Sequence, residues 1–220
     1  MMDAAFPVTA RTRMRRKAKR ATYDRAAIHA ILDEALVASV AVAIDGRPHV
    51  QPMIHCRIGD RLILHGHGTN RLLAAIGGGG EACINVFLLD ALAIARKIED
   101  HSMLYRSATI YGRGQVIADE AEKLAVMEQV FASLVGSGRF SLLPPLVPGY
   151  LGGTMVVAVS IEEAVGKVND EVDTSGGLDR IWSGLIPTHL QFGQPVADAR
   201  TAAEGLEPDQ QLTAYSRART

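Results

Sequence analysis

The chain has 220 residues, of which 48% are hydrophobic and 21% charged, with a formal net charge of -1. This composition is typical of a soluble globular protein with a sizeable core, and the near-zero net charge offers no overall attraction to nucleic acid or to acidic partners. No apolar run approaches the roughly 18 residues of a membrane span, and Cys56 and Cys83 are too few for a disulfide framework, so we expect a cytoplasmic protein.

The N-terminal segment is strongly basic. Residues 11–20 hold seven of the 23 basic residues and no acidic residue. A solvated tail is the simplest interpretation, with a nucleic-acid-binding arm or a targeting presequence as alternatives, and the segment lacks the apolar region of a secretory signal. We therefore expect a basic arm over residues 1–20, one domain over residues 21–190 and a poorly ordered or dimer-embracing tail over residues 191–220.

The first predicted elements are a helix and three strands. Asp24 is a favourable N-cap, and apolar residues follow it at helical spacing. Residues 37–66 predict three strands separated by Asp45-Gly46 and Gly59-Asp60, which both suit hairpin turns. Connections this short leave no room for crossover helices, so the strands are antiparallel.

The rest of the chain continues the same pattern. A short helix, "NRLLAAI", is ended by the glycine run at 77–80. The later segments are predicted, in chain order, as a strand at 82–90, a loop or short helix at 91–101, a long strand at 103–117 bent or bulged near Gly112 and Gly114, a helix at 119–135, a Gly/Pro-rich connection at 136–152 and a last core strand at 153–168. Together these elements predict a mainly β, α+β fold: an antiparallel β-barrel with a few flanking helices.

The most suggestive local sequence is "LILHGHGTNRLL", where a strand passes into a helix. Gly66 lets a ligand approach the backbone, and Asn70 or Thr69 can cap the helix. The helix N–H groups and Arg71 would suit a phosphate. A simple capped turn explains the same residues, so both interpretations stay open at this point.

Two further segments carry candidate ligands. "HSMLYRS", residues 101–107, offers donors to a phosphate and a heterocycle, or else packs through Tyr105 with its charges in solvent. "IWSGLIP", residues 181–187, holds the single tryptophan, Trp182, which would cover a flat ligand or simply pack. The seven histidines form no HExxH motif or Cys/His cluster, so no metal site is predicted.

Four segments, in this order and spanning about residues 20–190, resemble one known group of proteins. They are "YDRAAIHAILDEALVASVAVAIDGRPHVQPMIH", "LILHGHGTNRLL", "HSMLYRSATIYGRG" and "IWSGLIP". The chain resembles the pyridoxamine 5'-phosphate oxidase-like superfamily, which has the FMN-binding split-barrel fold. Within it, the chain is similar to the flavin-nucleotide-binding branch that includes the 5-nitroimidazole-resistance proteins.

The resemblance implies an FMN, with FAD as the alternative flavin, in a cleft at the interface of a homodimer. Strand residues around 50–55 would flank the ring, and Arg71 would hold the phosphate. His65 is the candidate catalytic residue, as a hydrogen-bond donor or proton source at the reactive ring edge. The implied cofactor-binding residues are Pro52, Met53, Ile54, His65, Gly66, Asn70, Arg71, His101, Tyr105, Arg106, Ser107 and Trp182.

The chain also departs from the resemblance. Asn70-Arg71-Leu72 stands where the oxidase has a Ser-Arg-Lys phosphate clamp, and Leu104 stands where the branch has asparagine. The substrate-binding arginine and histidine of the oxidase have no counterpart near the C-terminus. The resemblance therefore does not extend to pyridoxamine phosphate as the substrate.

Three functions follow as hypotheses. The first is an FMN-dependent oxidoreductase that reduces a small electrophile, such as a nitroaromatic, with electrons from a nicotinamide donor. The second is a non-enzymatic flavin- or haem-binding module, with His65, His67 or His101 as an axial ligand. The third is a nucleic-acid-associated regulator that binds through the basic arm.

Overall fold

The computed structural model describes residues 4–136, 142–147, 149–174, 176–213 and 215. The strands in these residues are β1 (Ala21–Thr22), β2 (Val37–Ile44), β3 (Arg47–Ile58), β4 (Arg61–His67), β5 (Gly78–Ile94), β6 (Ser102–Val116), β7 (Thr154–Ser160), β8 (Glu163–Asn169) and β9 (Gly184–Pro187). The helices are α1 (Arg25–Glu34), α2 (Arg71–Gly77), α3 (Glu120–Val135), α4 (Ala199–Ala203) and α5 (Gln210–Thr213). Short 3-10 turns cover Ala18–Arg20 and Ile98–Asp100.

Six strands close into a ring in the order β6–β7–β4–β3–β2–β5, with β5 pairing back to β6. Every pairing in the ring is antiparallel. β6 pairs with β8 through residues 105–111 and with β7 only through residues 114–116, so the barrel is split on this side. The predicted antiparallel split-barrel fold with few helices is therefore confirmed.

Local signals account for the beginnings of the elements. Asp24 accepts the Ala27 N–H at 2.7 Å, and Asp119 accepts the Glu122 N–H at 2.8 Å, so α1 and α3 begin where N-caps are predicted. Asp45 and Gly46 have φ values of 52° and 72°, as a two-residue hairpin turn of type I′ requires. The glycine run ends α2 as predicted, with a left-handed φ of 90° at Gly79.

Two predictions of local structure were wrong, and a third was confirmed. Residues 91–94 continue β5 rather than forming a loop or helix, because β6 and β9 flank them on both edges. Residues 153–168 form two strands, because the chain turns at Ile161, whose N–H donates to the Asp60 carbonyl. The irregularity predicted near Gly112 and Gly114 is present, because the pairing of β5 with β6 shifts register between Gly78 and Glu81, opposite Gly114; a second shift lies between Leu89 and Ala91.

The core lies inside the ring and is almost entirely aliphatic. α1 and α2 each place three buried side chains in it, and the inward residues of the strands complete it. The fully buried members with the largest side chains include Ile28, Leu32, Leu62, Leu64, Leu73, Ile76, Ile84 and Ile110. Burial of this apolar surface is the main stabilising contribution to the fold.

The described residues separate into two compact units, one over residues 1–117 and 153–189 and one over residues 118–152 and 190–220. In the first unit the N-terminal segment packs on the barrel: Phe6 is 2% exposed, and Arg11 pairs with Glu81 and Glu163. Most of its other basic side chains are exposed, but it is not a solvated tail over its whole length. In the second unit, Tyr215 packs edge-on against Phe192 at 4.7 Å.

Part of the predicted connection at 136–152 and the end of the C-terminal tail lie outside the described residues. Among the helices that are described, none combines the length and the apolar character needed to cross a membrane.

Candidate functional site

β3 and β4 separate part-way along their length. They pair only between residues 55–58 and 61–64. Beyond this point β4 continues along β7, while residues 47–54 of β3 keep only β2 as a neighbour. In the described part of the chain no strand covers the other edge of residues 47–54, so a cleft opens there with backbone groups along one side.

The start of α2 lies beside this cleft. Asn70 donates from Nδ2 to Gln51 Oε1 at 3.3 Å and thereby connects α2 to the open edge of β3. A cavity of about 320 Å³ separates the two elements; it is lined by Ile44, His49, Val50, Gln51, Asn70, Arg71 and Leu72. The structure therefore brings the predicted phosphate residues Asn70 and Arg71 together with the predicted flavin-flanking strand.

The capped turn and the anion site are compatible. Asn70 Oδ1 accepts the N–H groups of Leu72 and Leu73 at 3.0 and 3.1 Å, so those two donors are already satisfied. The Arg71 guanidinium is exposed, lines the cavity and forms no ion pair with any described residue. Arg71, rather than the helix N–H groups, is thus the feature suited to a phosphate.

The outer face of the barrel gathers several of the predicted residues. Pro52 pairs with Ser39, Ser39 with Asn85, and Asn85 with Thr109, so these four side chains share one face across four strands. Since side chains alternate along a strand, the same face carries Ile54, Phe87, Tyr105 and Ser107.

His65 and Gly66 point to opposite sides of β4. A Cβ on Gly66 would lie 3.0 Å from Leu73 Cδ1, so Gly66 faces α2 and the core. His65, one residue earlier, faces outwards with Ile54. Burial lowers the pKa of the half-buried His65, which keeps its imidazole neutral at neutral pH.

Two predicted site residues point inwards. Met53 is 8% exposed and belongs to the core. Arg106 lies between two carboxylates: its Nε and Nη2 donate to Asp90 at 3.0 and 2.8 Å, and its Nη1 and Nη2 donate to Glu34 at 2.5 and 2.9 Å. These hydrogen bonds, first to Asp90 and then to Glu34, raise the pKa of Arg106. Arg106 is thus paired with two carboxylates within the barrel, and its predicted contact with a cofactor stays a prediction.

His101 and Trp182 lie where β5, β6 and β9 meet, a part of the sheet that does not border Asn70 and Arg71. Ala93 near the end of β5 pairs with both Ser102 and Leu185. His101 Nδ1 is 2.9 Å from the Lys97 carbonyl oxygen, and Trp182 is 64% exposed. The structure therefore does not bring His101 and Trp182 together with the residues of the cleft.

Several residues of the outer face and of the cleft were not predicted from the sequence. Phe87 stacks on Tyr105 with ring centroids 5.5 Å apart, and Lys167 Nζ lies 5.7 Å from the Tyr105 centroid. The alternation of β5 and β6 was a signal that Phe87 and Tyr105 face one side, but only the strand register makes them neighbours. Gln51, which anchors Asn70, had no signal of its own. The described residues hold no cluster of three or more His, Cys, Asp or Glu side chains that could bind a metal.

Comparison with known proteins identifies the family. Residues 24–168 match the family model described as pyridoxamine 5'-phosphate oxidase. The chain belongs to this family. No curated protein matches it.

Among solved structures, the chain is similar to the flavocytochrome Anf3 from Azotobacter vinelandii, with 30% identity over 96% of this chain and 98% of that one and a TM-score of 0.82. It is also similar to the FAD and heme binding protein from Mycobacterium smegmatis, with 27% identity over 88% and 97% of the two chains and a TM-score of 0.77. A candidate 5-nitroimidazole antibiotic resistance protein from Bacteroides thetaiotaomicron shares the fold at 21% identity, over 67% and 86% of the chains, with a TM-score of 0.56. The first two of these neighbours are thus named as flavin proteins, and the third shows the shared fold.

Proposed function

We propose that the protein binds a flavin in the cleft between β3 and β4 and acts as a flavin-dependent oxidoreductase. The observation that carries the proposal is the open edge of residues 47–54 beside Arg71, in a member of this family. The neighbours named as flavin proteins cover most of the chain and support it further. A small electrophile such as a nitroaromatic is the proposed substrate, and a nicotinamide nucleotide the proposed electron donor.

The residues present fit the chemical parts of a flavin. Arg71 supplies the cation for the phosphate, and the open backbone of β3 near Pro52 supplies donors and acceptors for the ring edge. A bound flavin would supply the electron transfer, which the side chains of the site do not. The neutral His65 on the outer face would exchange a proton with the reacting molecule. FMN and FAD both carry the phosphate next to the ribityl chain, so Arg71 suits either.

The absorption spectrum of the purified protein tests the proposal directly. Two broad visible bands, or their appearance after FMN or FAD is added, are expected. Arg71→Ala should weaken flavin affinity by about 1.5 to 3 kcal/mol, because a charge-assisted hydrogen bond is lost. Arg47→Ala is the matched control, since Arg47 is an exposed cation at the start of β3 that does not line the cavity. A colourless protein that takes up neither flavin would refute the proposal.

We also propose that the outer face joins two copies of the chain. Four large apolar side chains on this face are well exposed: Val37 at 48%, Val50 at 70%, Ile54 at 38% and Phe87 at 48%. Contiguous apolar surface of this kind is typical of protein interfaces. A homodimer would cover it and would enclose the flavin ring beside Pro52 and His65.

Sedimentation of the native protein should therefore show a dimer. Val50→Lys places a charge in the proposed interface and should shift the protein to a monomer. Ile98→Lys, at a 91% exposed position in the 3-10 turn between β5 and β6 of the same unit, should leave the dimer unchanged. A native protein that sediments as a monomer at micromolar concentration contradicts the dimer without contradicting the flavin site.

A second candidate function is haem binding, favoured by the two neighbours named as a flavocytochrome and as an FAD and heme binding protein. His65, His67 and His101 are the candidate axial ligands. The Lys97 carbonyl can only accept, so Nδ1 of His101 is the donor in this hydrogen bond and Nε2 is the ring nitrogen left for a metal. Titration with haem should then give a Soret band that is lost when the ligating histidine is replaced by alanine; no such band in the native protein rejects this function.

A further inference from the structure

The cavity between β3 and α2 has two ionisable side chains in its lining. One is Arg71, the proposed cation for the flavin phosphate, and the other is His49. The remaining described residues of the lining are uncharged: Ile44, Val50, Gln51, Asn70 and Leu72. Among the residues that the structure describes, the lining therefore holds two basic groups and no carboxylate, which suits an anion.

The register of β3 turns the His49 side chain towards α2. His49 pairs directly with Val42 of β2, which is 5% exposed and belongs to the core, and directly paired residues share one face of the sheet. Gln51, two residues further along β3, is on the same face and accepts a hydrogen bond from Asn70, the residue before Arg71. The cavity thus has His49 on its strand side and Arg71 on its helix side.

Arg71 is the charged group that faces His49 across the cavity. β2 contains no charged residue, and Arg71 is the only one in α2. The nearest charged residues along the chain, Asp45 and Arg47 of the hairpin, do not line the cavity. The His49 ring is half-buried, and no described residue engages it in an ion pair or a side-chain hydrogen bond. Its ring nitrogens are therefore available to a ligand.

The phosphate end of a flavin carries more charge than one arginine balances. A phosphate monoester has a charge of about -1.5 to -2 at neutral pH, and the pyrophosphate of FAD carries a similar charge. Arginine supplies a single positive charge at every physiological pH. A histidine gains its positive charge near about pH 6.5, and a neighbouring anion favours that charged form.

We propose that protonated His49 is the second phosphate-binding group of this cavity and makes flavin affinity dependent on pH. This inference rests on the proposed function, because the anion is the phosphate end of the flavin. Since the bound flavin favours the protonated imidazole, binding takes up a proton. Flavin affinity is then highest below about pH 6.5 and falls as the pH rises.

Titration of the flavin-free protein with FAD at about pH 6 and pH 8 tests the proposal. FAD is the probe because its pyrophosphate keeps its charge over this range, whereas the FMN phosphate itself titrates near about pH 6. The native protein should bind FAD about fivefold more tightly at the lower pH, as expected for one charge-assisted hydrogen bond at a partly exposed site. Calorimetry in buffers of different ionisation enthalpy should show proton uptake.

Two variants and a control separate charge from packing. His49→Gln keeps a polar side chain but cannot gain the charge, so it should lose the pH dependence and bind FAD at both pH values as the native protein does at the higher one. His49→Lys is charged throughout and should bind tightly at both. His189→Gln replaces an exposed histidine that does not line the cavity and should behave as the native protein does.

Riboflavin, which has the same ring without the phosphate, separates His49 from groups that face the ring. Its affinity should be the same in the native protein and in His49→Gln at each pH. A gain for FMN as well as FAD in His49→Lys supports a contact with the phosphate that both flavins carry, and a gain for FAD alone supports a contact with its second phosphate.

The outcomes distinguish this inference from the proposed function. If FAD binds and its affinity has the same pH dependence in the native protein and in His49→Gln, the role of His49 is overturned and the flavin site stands. A riboflavin affinity that falls in His49→Gln as much as the FAD affinity also overturns it, because the effect would then not involve the phosphate. If no flavin binds to the native protein, the proposed function and this inference are both rejected.

Discussion

Arg106 provides a sharp test of how the barrel is held together. It joins Glu34 at the end of α1 to Asp90 on β5 through four hydrogen bonds of 2.5 to 3.0 Å. The side chains are 24%, 9% and 22% exposed for Arg106, Glu34 and Asp90. Arg106→Met keeps much of the side-chain volume but removes the cation that lies between these two carboxylates.

Removal of one partner from a buried ion pair costs roughly 3 to 5 kcal/mol, and the partial exposure of this group places the expected loss near the lower value, about 3 kcal/mol. Urea denaturation followed by circular dichroism measures it. Arg200→Met is the control, because Arg200 is 87% exposed and pairs with Glu204 four residues along α4. Loss of such an exposed pair costs only about 0.5 kcal/mol.

The two roles considered for Arg106 give different results. A structural ion pair predicts a large loss of stability in the flavin-free protein, with flavin affinity nearly unchanged after correction for the unfolded fraction. A cofactor-binding role predicts the opposite result: little loss of stability in the flavin-free protein and a clear loss of flavin affinity. A loss of stability below about 1 kcal/mol in Arg106→Met would refute the structural role.

Two further predictions concern packing and pH. Gly112→Ala should destabilise the barrel by about 3 kcal/mol or more or prevent folding, because the new Cβ would lie 1.7 Å from the Ser160 carbonyl oxygen; Gly193→Ala, with open space around it, should be neutral in the same denaturation assay. Burial lowers the pKa of His29 and of His65, so the unfolded chain binds more protons than the folded one just below about pH 6.5. The free energy of unfolding should therefore fall as the pH drops below that value, and His29→Gln/His65→Gln should reduce the dependence; a flat profile in the native protein contradicts the assignment.

Local chemistry made the element boundaries predictable. Asp24 and Asp119 cap helices through their own side chains, and Asp45-Gly46 adopts the two positive φ values of a tight hairpin. Each of these features depends on residues within four positions of one another. The prediction for residues 91–94 was wrong for the opposite reason. That segment is held extended by β6 and β9, which are distant in the sequence.

The candidate site could be predicted only in part. The sequence motif includes Asn70 and Arg71, but the cleft exists because β3 and β4 stop pairing after His55 and Leu64. That register is set by packing across the whole barrel and has no local signal. For the same reason the tyrosine-arginine-serine motif is divided by strand alternation: Tyr105 and Ser107 face outwards, whereas Arg106 faces Glu34.

Strand alternation also gives His65 and Gly66 different roles. Since His65 and Gly66 are adjacent in β4, they cannot face the same side of the strand. Gly66 allows close packing of Leu73, with 3.0 Å to an added Cβ, and so holds α2 where Arg71 borders the cleft. His65 takes the outer side with Ile54. In the proposed flavin site, a ligand held by its phosphate at Arg71 would therefore pass the open edge of β3 before its ring reached His65, and pairing of that edge with another strand would block binding.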